Sequence, residues 1–245
     1  MGRLDGKVAF ISGGANSLGA ANASLFAAEG ARVIIADVLE TEGKNLAKSL
    51  GPRGTFVFLD VTDPSGWIRA AEIAENAYGP VNILVNNAGR VNHVPFDECT
   101  NQQFGEIIEA NLYGTFYGIK TIIPSMQKAG SGTIINISSV SGLRGYPMMP
   151  GCVTAHWGVR GLTKSAALDL ARYHIRVNSV HSGEVLTPAT KSGDIETGHV
   201  AMNRPATPDE IARVVVFLAT DESSFITGAE IAVDGGESAG LANCR

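Results

Sequence analysis

Seven short runs of consecutive apolar, largely β-branched residues punctuate this 245-residue chain, and a longer segment with helical spacing follows all but the last. The runs are Val8–Ile11, Val33–Ala36, Phe56–Leu59, Ile83–Asn86, Thr133–Ile137, Val177–Val180 and Glu230–Val233. Apolar residues stand at consecutive rather than alternate positions, so both faces of each strand need a cover, as in a parallel sheet. Helical patterns fall at Leu18–Glu29, Thr41–Ser49, Pro64–Tyr78, Asn101–Gln127, Gly151–Tyr173 and Pro208–Thr220. Thr207, Pro208 and Asp209–Glu210 read as the cap, first position and first turn of the last helix. Strand–helix alternation builds βαβ units, and so predicts a doubly wound, parallel, seven-stranded sheet in a three-layer α/β/α arrangement. No repeat, low-complexity stretch or linker interrupts the pattern, and one domain over 1–245 is expected.

Composition narrows the partners. A formal net charge of −5 disfavours nucleic-acid and anionic membrane surfaces, both of which select basic patches. The longest apolar runs, Val8–Ile11 and Val214–Ala219, fall far short of the roughly 20 residues a membrane helix needs. The segment Met1–Gly6 has no signal-like apolar core, and Gly6 stands where myristoylation requires Ser or Thr. Cys99, Cys152 and Cys244 are widely spaced and odd in number, as for reduced thiols in a cytoplasm.

The first strand runs into Ser12-Gly13-Gly14-Ala15-Asn16-Ser17-Leu18-Gly19 and then a helix. Glycines at such a turn admit a pyrophosphate close to the backbone, and the helix N-terminus offers N–H donors and positive dipole; a plain tight turn is the alternative. Asp37 closes the second strand. A carboxylate there accepts both ribose hydroxyls and repels a 2′-phosphate, which favours NAD over NADP; a solvated strand-end acid is the alternative.

These motifs, with Asp60-Val61, Asn86-Asn87-Ala88-Gly89, Asn111, Ile137-Ser138-Ser139 and the terminal Thr227-Gly228…Val233-Asp234-Gly235-Gly236, resemble the short-chain dehydrogenase/reductase family over essentially the whole chain. The nearest branch is that of NAD-dependent hydroxysteroid and secondary-alcohol dehydrogenases. The resemblance implies a Rossmann-type fold in which Ser12, Gly13, Ser17, Leu18 and Gly19 hold the pyrophosphate. It places Asp60 and Val61 beside the adenine, Asn87, Ala88 and Gly89 on the ribose side, and Thr187 at the nicotinamide amide. It also implies a homotetramer or homodimer, in which the long Asn101–Gln127 and Gly151–Tyr173 helices pair across a two-fold bundle.

The family's active site combines a serine, a helix asparagine and a tyrosine four residues before a lysine. Ser139 and Asn111 stand at the first two positions, but Cys152 and His156 occupy the tyrosine and lysine positions. Trp157–Ser165 continues the pattern without a gap, so these are replacements. Ser17 further stands at the middle glycine of the phosphate loop, and Ser182-Gly183 replaces Pro-Gly beside the nicotinamide. Cys152 and His156, spaced i and i+4, share a helix face where their side chains can meet. They read as a thiolate–imidazolium couple, as filler in an abandoned site, or as two Zn²⁺ ligands; no further ligand is evident, and no metal is expected.

Tyr146, Met148 and Met149 precede the active-site helix, and the segment Glu184–Asn203 takes the family's lid position. They predict a pocket for an apolar small molecule, although methionines equally serve as core filler. His181 beside the lid reads as a donor to the ligand or as a structural histidine. The loss of the tyrosine–lysine pair makes a non-redox enzyme (cyclisation, isomerisation or elimination) the leading expectation, with NAD(H) bound weakly or not at all. The alternatives are an NAD(H)-dependent alcohol or hydroxysteroid dehydrogenase with substitute acid–base groups, and a non-catalytic binding protein.

Overall fold

In the first strand, β1 (Val8–Ser12), every residue is buried, with Ala9 and Ile11 facing one side of the sheet and Val8 and Phe10 the other. The computed structural model describes residues 2–187 and 197–241. Six further strands follow: β2 (Arg32–Asp37), β3 (Gly54–Phe58), β4 (Ile83–Asn86), β5 (Gly132–Ser139), β6 (Ile175–Ser182) and β7 (Glu230–Val233). They form one sheet in the order β3-β2-β1-β4-β5-β6-β7, with every pairing parallel. The expected doubly wound α/β architecture is the observed one.

The helices are α1 (Ser17–Ala28), α2 (Glu40–Leu50), α3 (Pro64–Tyr78), α4 (Asn101–Ile108), α5 (Gly114–Ala129), α6 (Pro150–Leu170) and α7 (Pro208–Ala219). On one sheet face Phe26 of α1, Ala47 of α2 and Val215 of α7 pack over Ile11, Val33 and Ile135. On the other, Trp67 of α3, Ile122 of α5 and Leu170 of α6 pack over Phe10, Ile34 and Val177. Burial of this two-sided kind, at about 25 cal/mol per Å² of apolar surface, is what drives the layers together. The Phe10 and Trp67 rings stack at 5.5 Å between centroids.

The expected helix Asn101–Gln127 is interrupted. A capping box starts it: Thr100 Oγ1 accepts from the Gln103 backbone at 3.2 Å while Gln103 Oε1 accepts from the Thr100 backbone at 3.0 Å. Between α4 and α5 the backbone widens into a π-helical turn, Glu109–Tyr113, before Gly130 in left-handed conformation (φ 79°) ends the helix. The helix expected at Gly151–Tyr173 ends in a tighter turn, Ala171–Tyr173. Strands β5 and β6 run past their expected ends, because Ser138 and Ser139 continue the ladder opposite His181 and Ser182. Among the described residues no helix is long and apolar enough to cross a membrane.

The strand order reverses between β1 and β4, and in open α/β sheets ligands bind in the crevice that this reversal opens at the strands' carboxyl ends.

Candidate active site

The loop from β1 to α1 meets the loop after β4 at that crevice. Ser12 Oγ accepts the backbone N–H groups of Asn87 and Ala88 at 3.2 and 3.3 Å, and Asn87 Nδ2 donates to the Gly13 carbonyl at 2.9 Å. The approach is so close that a Cβ on Gly13 (φ 62°) would lie 2.7 Å from Ala88 Cα, and one on Gly19 would lie 1.8 Å from the Gly13 carbonyl oxygen. Ser17, between them, adopts φ 46°. This is the left-handed region that costs an L-residue with a side chain about 1–2 kcal/mol. The backbone therefore still has the shape of a glycine at the position where the family resemblance expects one.

Asp37 is buried, with its two carboxylate oxygens accepting from the backbones of Ala15 (3.0 Å) and Leu39 (3.1 Å). It borders a cavity of about 260 Å³ that Asp60, Val61, Ala88 and Gly89 also line. Asp60 Oδ1 accepts from the backbone and hydroxyl of Thr62, which holds the strand-end turn. A larger cavity, about 810 Å³, is lined by Asn16, Ser17, Leu18 and Gly19 of the loop together with Ser139, Tyr146 and Met149. The residues expected to hold a nucleotide line both cavities, and those expected near a substrate line the larger one.

Ser139 ends β5 with its Oγ accepting from the Ser141 backbone at 3.2 Å. Asn111 sits in the π-helical turn and is buried. Its Oδ1 accepts from the Arg90 backbone at 2.7 Å and its Nδ2 donates to the Arg90 carbonyl at 2.9 Å. Both ends of the amide clamp the loop after β4.

Cys152 and His156 do not meet. Cys152 is 1% exposed, packs with Ile107 and Ala155, and has its sulfur 4.0 Å from the carbonyls of Arg90 and Asn92. Burial pushes its thiol pKa up, only partly offset by the Asn92 backbone. His156 turns toward β5, with Nδ1 3.3 Å from Ser138 Oγ, and burial with the nearby His181 lowers its pKa to about 4. These directions favour a neutral thiol and a neutral imidazole, the opposite of an ion pair. Neither residue lines the large cavity. Among the described residues no group of three or more His, Cys, Asp or Glu is placed to hold a metal ion.

The remaining expected residues separate. Tyr146 and Met149 line the cavity, whereas Met148 is half-exposed at φ 60° and accepts from the Val94 backbone at 2.7 Å. His181 is fully buried. Its Nδ1 lies 3.1 Å from the Ser139 carbonyl, which makes that nitrogen the donor, so Nε2 accepts from Ser179 Oγ at 3.0 Å. It supports the backbone of Ser139. Thr187 closes the described stretch after β6, and residues 188–196 of the expected lid lie outside the described residues.

One cluster escaped the sequence reading. Glu237, 1% exposed, accepts through Oε1 from the Tyr146 hydroxyl and from Arg144 Nη2 at 2.5 Å, with His199 Nε2 at 3.4 Å. Its other oxygen is buried without a hydrogen-bond partner. His199 lines the large cavity beside Tyr146. The only available signal is the carboxylate immediately after Gly235-Gly236, and nothing in local periodicity marks it as buried.

A family model described as enoyl-(acyl carrier protein) reductase matches residues 13–238. The chain belongs to the short-chain dehydrogenase/reductase family. Within that family it is 46% identical to the 3-alpha-(or 20-beta)-hydroxysteroid dehydrogenase of Mycobacterium tuberculosis, covering 99% of this chain and 93% of the relative. It is 44% identical to the trans-4-hydroxycyclohexanecarboxylate dehydrogenase of Sinomonas cyclohexanicum (97% and 95% covered). It is 36% identical to the cyclopentanol dehydrogenase of Comamonas testosteroni (98% and 100% covered).

These relatives correct the leading functional expectation. Full-length relatives at 36–46% identity are named dehydrogenases, which overturns the non-redox reading and favours its alcohol and hydroxysteroid dehydrogenase alternative. Replacement of the tyrosine–lysine pair changes one acid–base couple, while the sequence over 99% of the chain remains aligned with a named dehydrogenase.

Proposed function

We propose that this protein is an NAD(H)-dependent dehydrogenase of secondary alcohols carried on saturated rings, of alicyclic or steroid type. The observation that carries this reading is the 810 Å³ cavity, whose lining unites the glycine loop with Ser139, Tyr146 and Met149. A nucleotide loop and an oxygen-binding serine converge on one space, as transfer between a nicotinamide and a carbinol carbon requires.

The residues fit a dinucleotide. Gly13 and Gly19, whose missing side chains let the loop close on Ala88 and on itself, shape a tight turn into α1, whose N-terminus suits a pyrophosphate. The smaller cavity, with Asp37 and Asp60 on its rim, suits an adenosine whose ribose carries free hydroxyls. Asp37 repels a 2′-phosphate by like charge, and NAD(H) is the favoured form. Ser17 weakens the grip, since its side chain stands where the loop is shaped for none. When bound, the nicotinamide accepts or returns two electrons and a hydrogen at the carbinol carbon. Ser139 Oγ holds the substrate oxygen, Asn111 fixes the loop after β4, and His181 fixes the Ser139 backbone. Val91, Ile137, Val140 and Val185 give the cavity an apolar wall for a ring.

The test is production of NADH from NAD⁺ with cyclopentanol, cyclohexanol and hydroxysteroids as probes, beside calorimetric binding of NADH. Turnover of at least one ring alcohol supports the reading. A protein that binds NADH tightly yet oxidises none of these alcohols, at any pH from 6 to 10, refutes it.

A further inference from the structure

The positions at which the resemblance expects a tyrosine and a lysine hold a sealed thiol and a neutral imidazole, so the substrate's proton needs another carrier. Among the described residues the large cavity offers four titratable side chains: His93, Tyr146, Glu184 and His199. Tyr146 is poorly suited, because its hydroxyl is committed to Glu237, and burial with that carboxylate drives its pKa upward. His93 and Glu184 are exposed. His199 differs from both in that a buried carboxylate backs it. Its Nε2 faces Glu237 Oε1 at 3.4 Å, while the imidazole remains 38% exposed.

We infer that His199, oriented by Glu237, is the proton carrier of the reaction. The inference rests on the dehydrogenase reading above. A carboxylate 3.4 Å from Nε2 favours the tautomer with the proton on that nitrogen, which leaves Nδ1 with its lone pair, as a general base needs. During oxidation the carbinol O–H bond breaks and its proton passes to Nδ1. The carbinol C–H bond breaks with its electron pair leaving to the oxidised nicotinamide nucleotide, and the C=O bond forms. Reduction runs the same changes in reverse, with the imidazolium returning the proton. Glu237 stabilises that imidazolium. Arg144 and the Tyr146 hydroxyl, on the same Oε1, hold the carboxylate in place and share its charge. Glu237 is therefore a positioning residue and His199 the catalytic one.

The experiment uses the full-length protein with cyclopentanol and NAD⁺. His199→Gln is expected to lower kcat/KM for oxidation by about 10²–10⁴-fold, with NADH affinity unchanged by fluorescence titration. Oxidation by the unmodified protein should fall at low pH as Nδ1 becomes protonated, and that acid limb should vanish in His199→Gln yet persist in Tyr146→Phe. Without substrate or nucleotide, the ring-nitrogen NMR shifts of His199 should show the proton on Nε2 and a bare Nδ1 in the unmodified protein, and Glu237→Gln should change that tautomer balance. Wild-type kcat/KM in His199→Gln, or an acid limb that disappears in Tyr146→Phe instead, overturns the assignment. A His199 tautomer balance indifferent to Glu237→Gln overturns the pairing even if no alcohol is turned over. Failure of alcohol oxidation with the NMR coupling intact falls on the proposed function and removes the proton-carrier role with it, leaving only the pairing.

Discussion

Asp37 Oδ2 accepts the Ala15 backbone N–H at 3.0 Å, so the acid that closes β2 is fastened to the loop that follows β1. The carboxylate thereby sets the loop's position as well as the charge that a ribose meets. Nucleotide choice and loop geometry are one property of a single side chain.

From this relationship, calorimetry should find NADPH binding at least tenfold weaker than NADH binding. Asp37→Ala should narrow that gap and also cost about 1–3 kcal/mol of folding stability, because the buried Ala15 N–H loses its acceptor. Equal affinity for both nucleotides in the unmodified protein would refute the charge argument. A variant as stable as its parent would refute the structural one.

Ser17→Gly should relieve left-handed strain at φ 46°. Glycine's extra freedom in the unfolded chain offsets part of the gain, leaving about 1 kcal/mol or less and a Tm rise of roughly 2 °C. NADH should bind more tightly to the variant, since the side chain leaves the loop. A fall in both Tm and affinity would show that the serine is accommodated without strain.

His156 predicts how acid affects the fold. Its folded pKa, lowered to about 4 by burial and His181, lies below the value of about 6.5 expected when unfolded. Below pH 6.5 the unfolded chain binds the proton first, so stability is full above 6.5 and is lost as pH falls toward 4. The loss is on the order of 3 kcal/mol at most. Denaturant melts between pH 7 and 4 should show this decline, and His156→Gln should flatten it. A decline of the same size in the variant would assign it to other groups.

We expect a homodimer or homotetramer built on the outer surfaces of α5 and α6. Phe116 is 41% exposed on α5, and Trp157 and Leu168 are 47% and 83% exposed on α6, a high apolar exposure for neighbouring long helices. Light scattering at micromolar concentration should give at least twice the mass of one chain, and Phe116→Glu with Leu168→Glu should reduce it. A monomeric parent protein would end this expectation.

The fold was readable because its punctuation is chemical. Asp63-Pro64 and Gly79 bracket α3 at its observed limits, Pro64–Tyr78, and consecutive apolar residues mark the central strands. What escaped was anything decided by contacts between distant segments. Ser138 and Ser139 look like a strand's end until β6 pairs with them. Cys152 and His156 share a helical face in projection, yet one is drawn against Ile107 and the other toward Ser138. Glu237 becomes a buried acid only because Arg144, Tyr146 and His199, remote in sequence, converge on it. The functional misreading had a similar origin, since two substituted positions cannot reveal which other groups occupy the same cavity.

The π-helical turn at Glu109–Tyr113 has a consequence for how this chain can change. A turn that spans one more residue than its neighbours shifts the angular phase of everything beyond it by about 100°. The face that α5 presents to Trp67 is thus out of step with the face of α4. Deleting a single residue there would restore an unbroken helix and leave Ile119 and Ile122 facing the core, since the lost residue and the lost wide turn cancel in phase, but it would draw the Asn111 amide off the Arg90 backbone. The irregular turn thus carries the loop after β4 on one extra residue, and the loss of one codon would spare the core while releasing that loop.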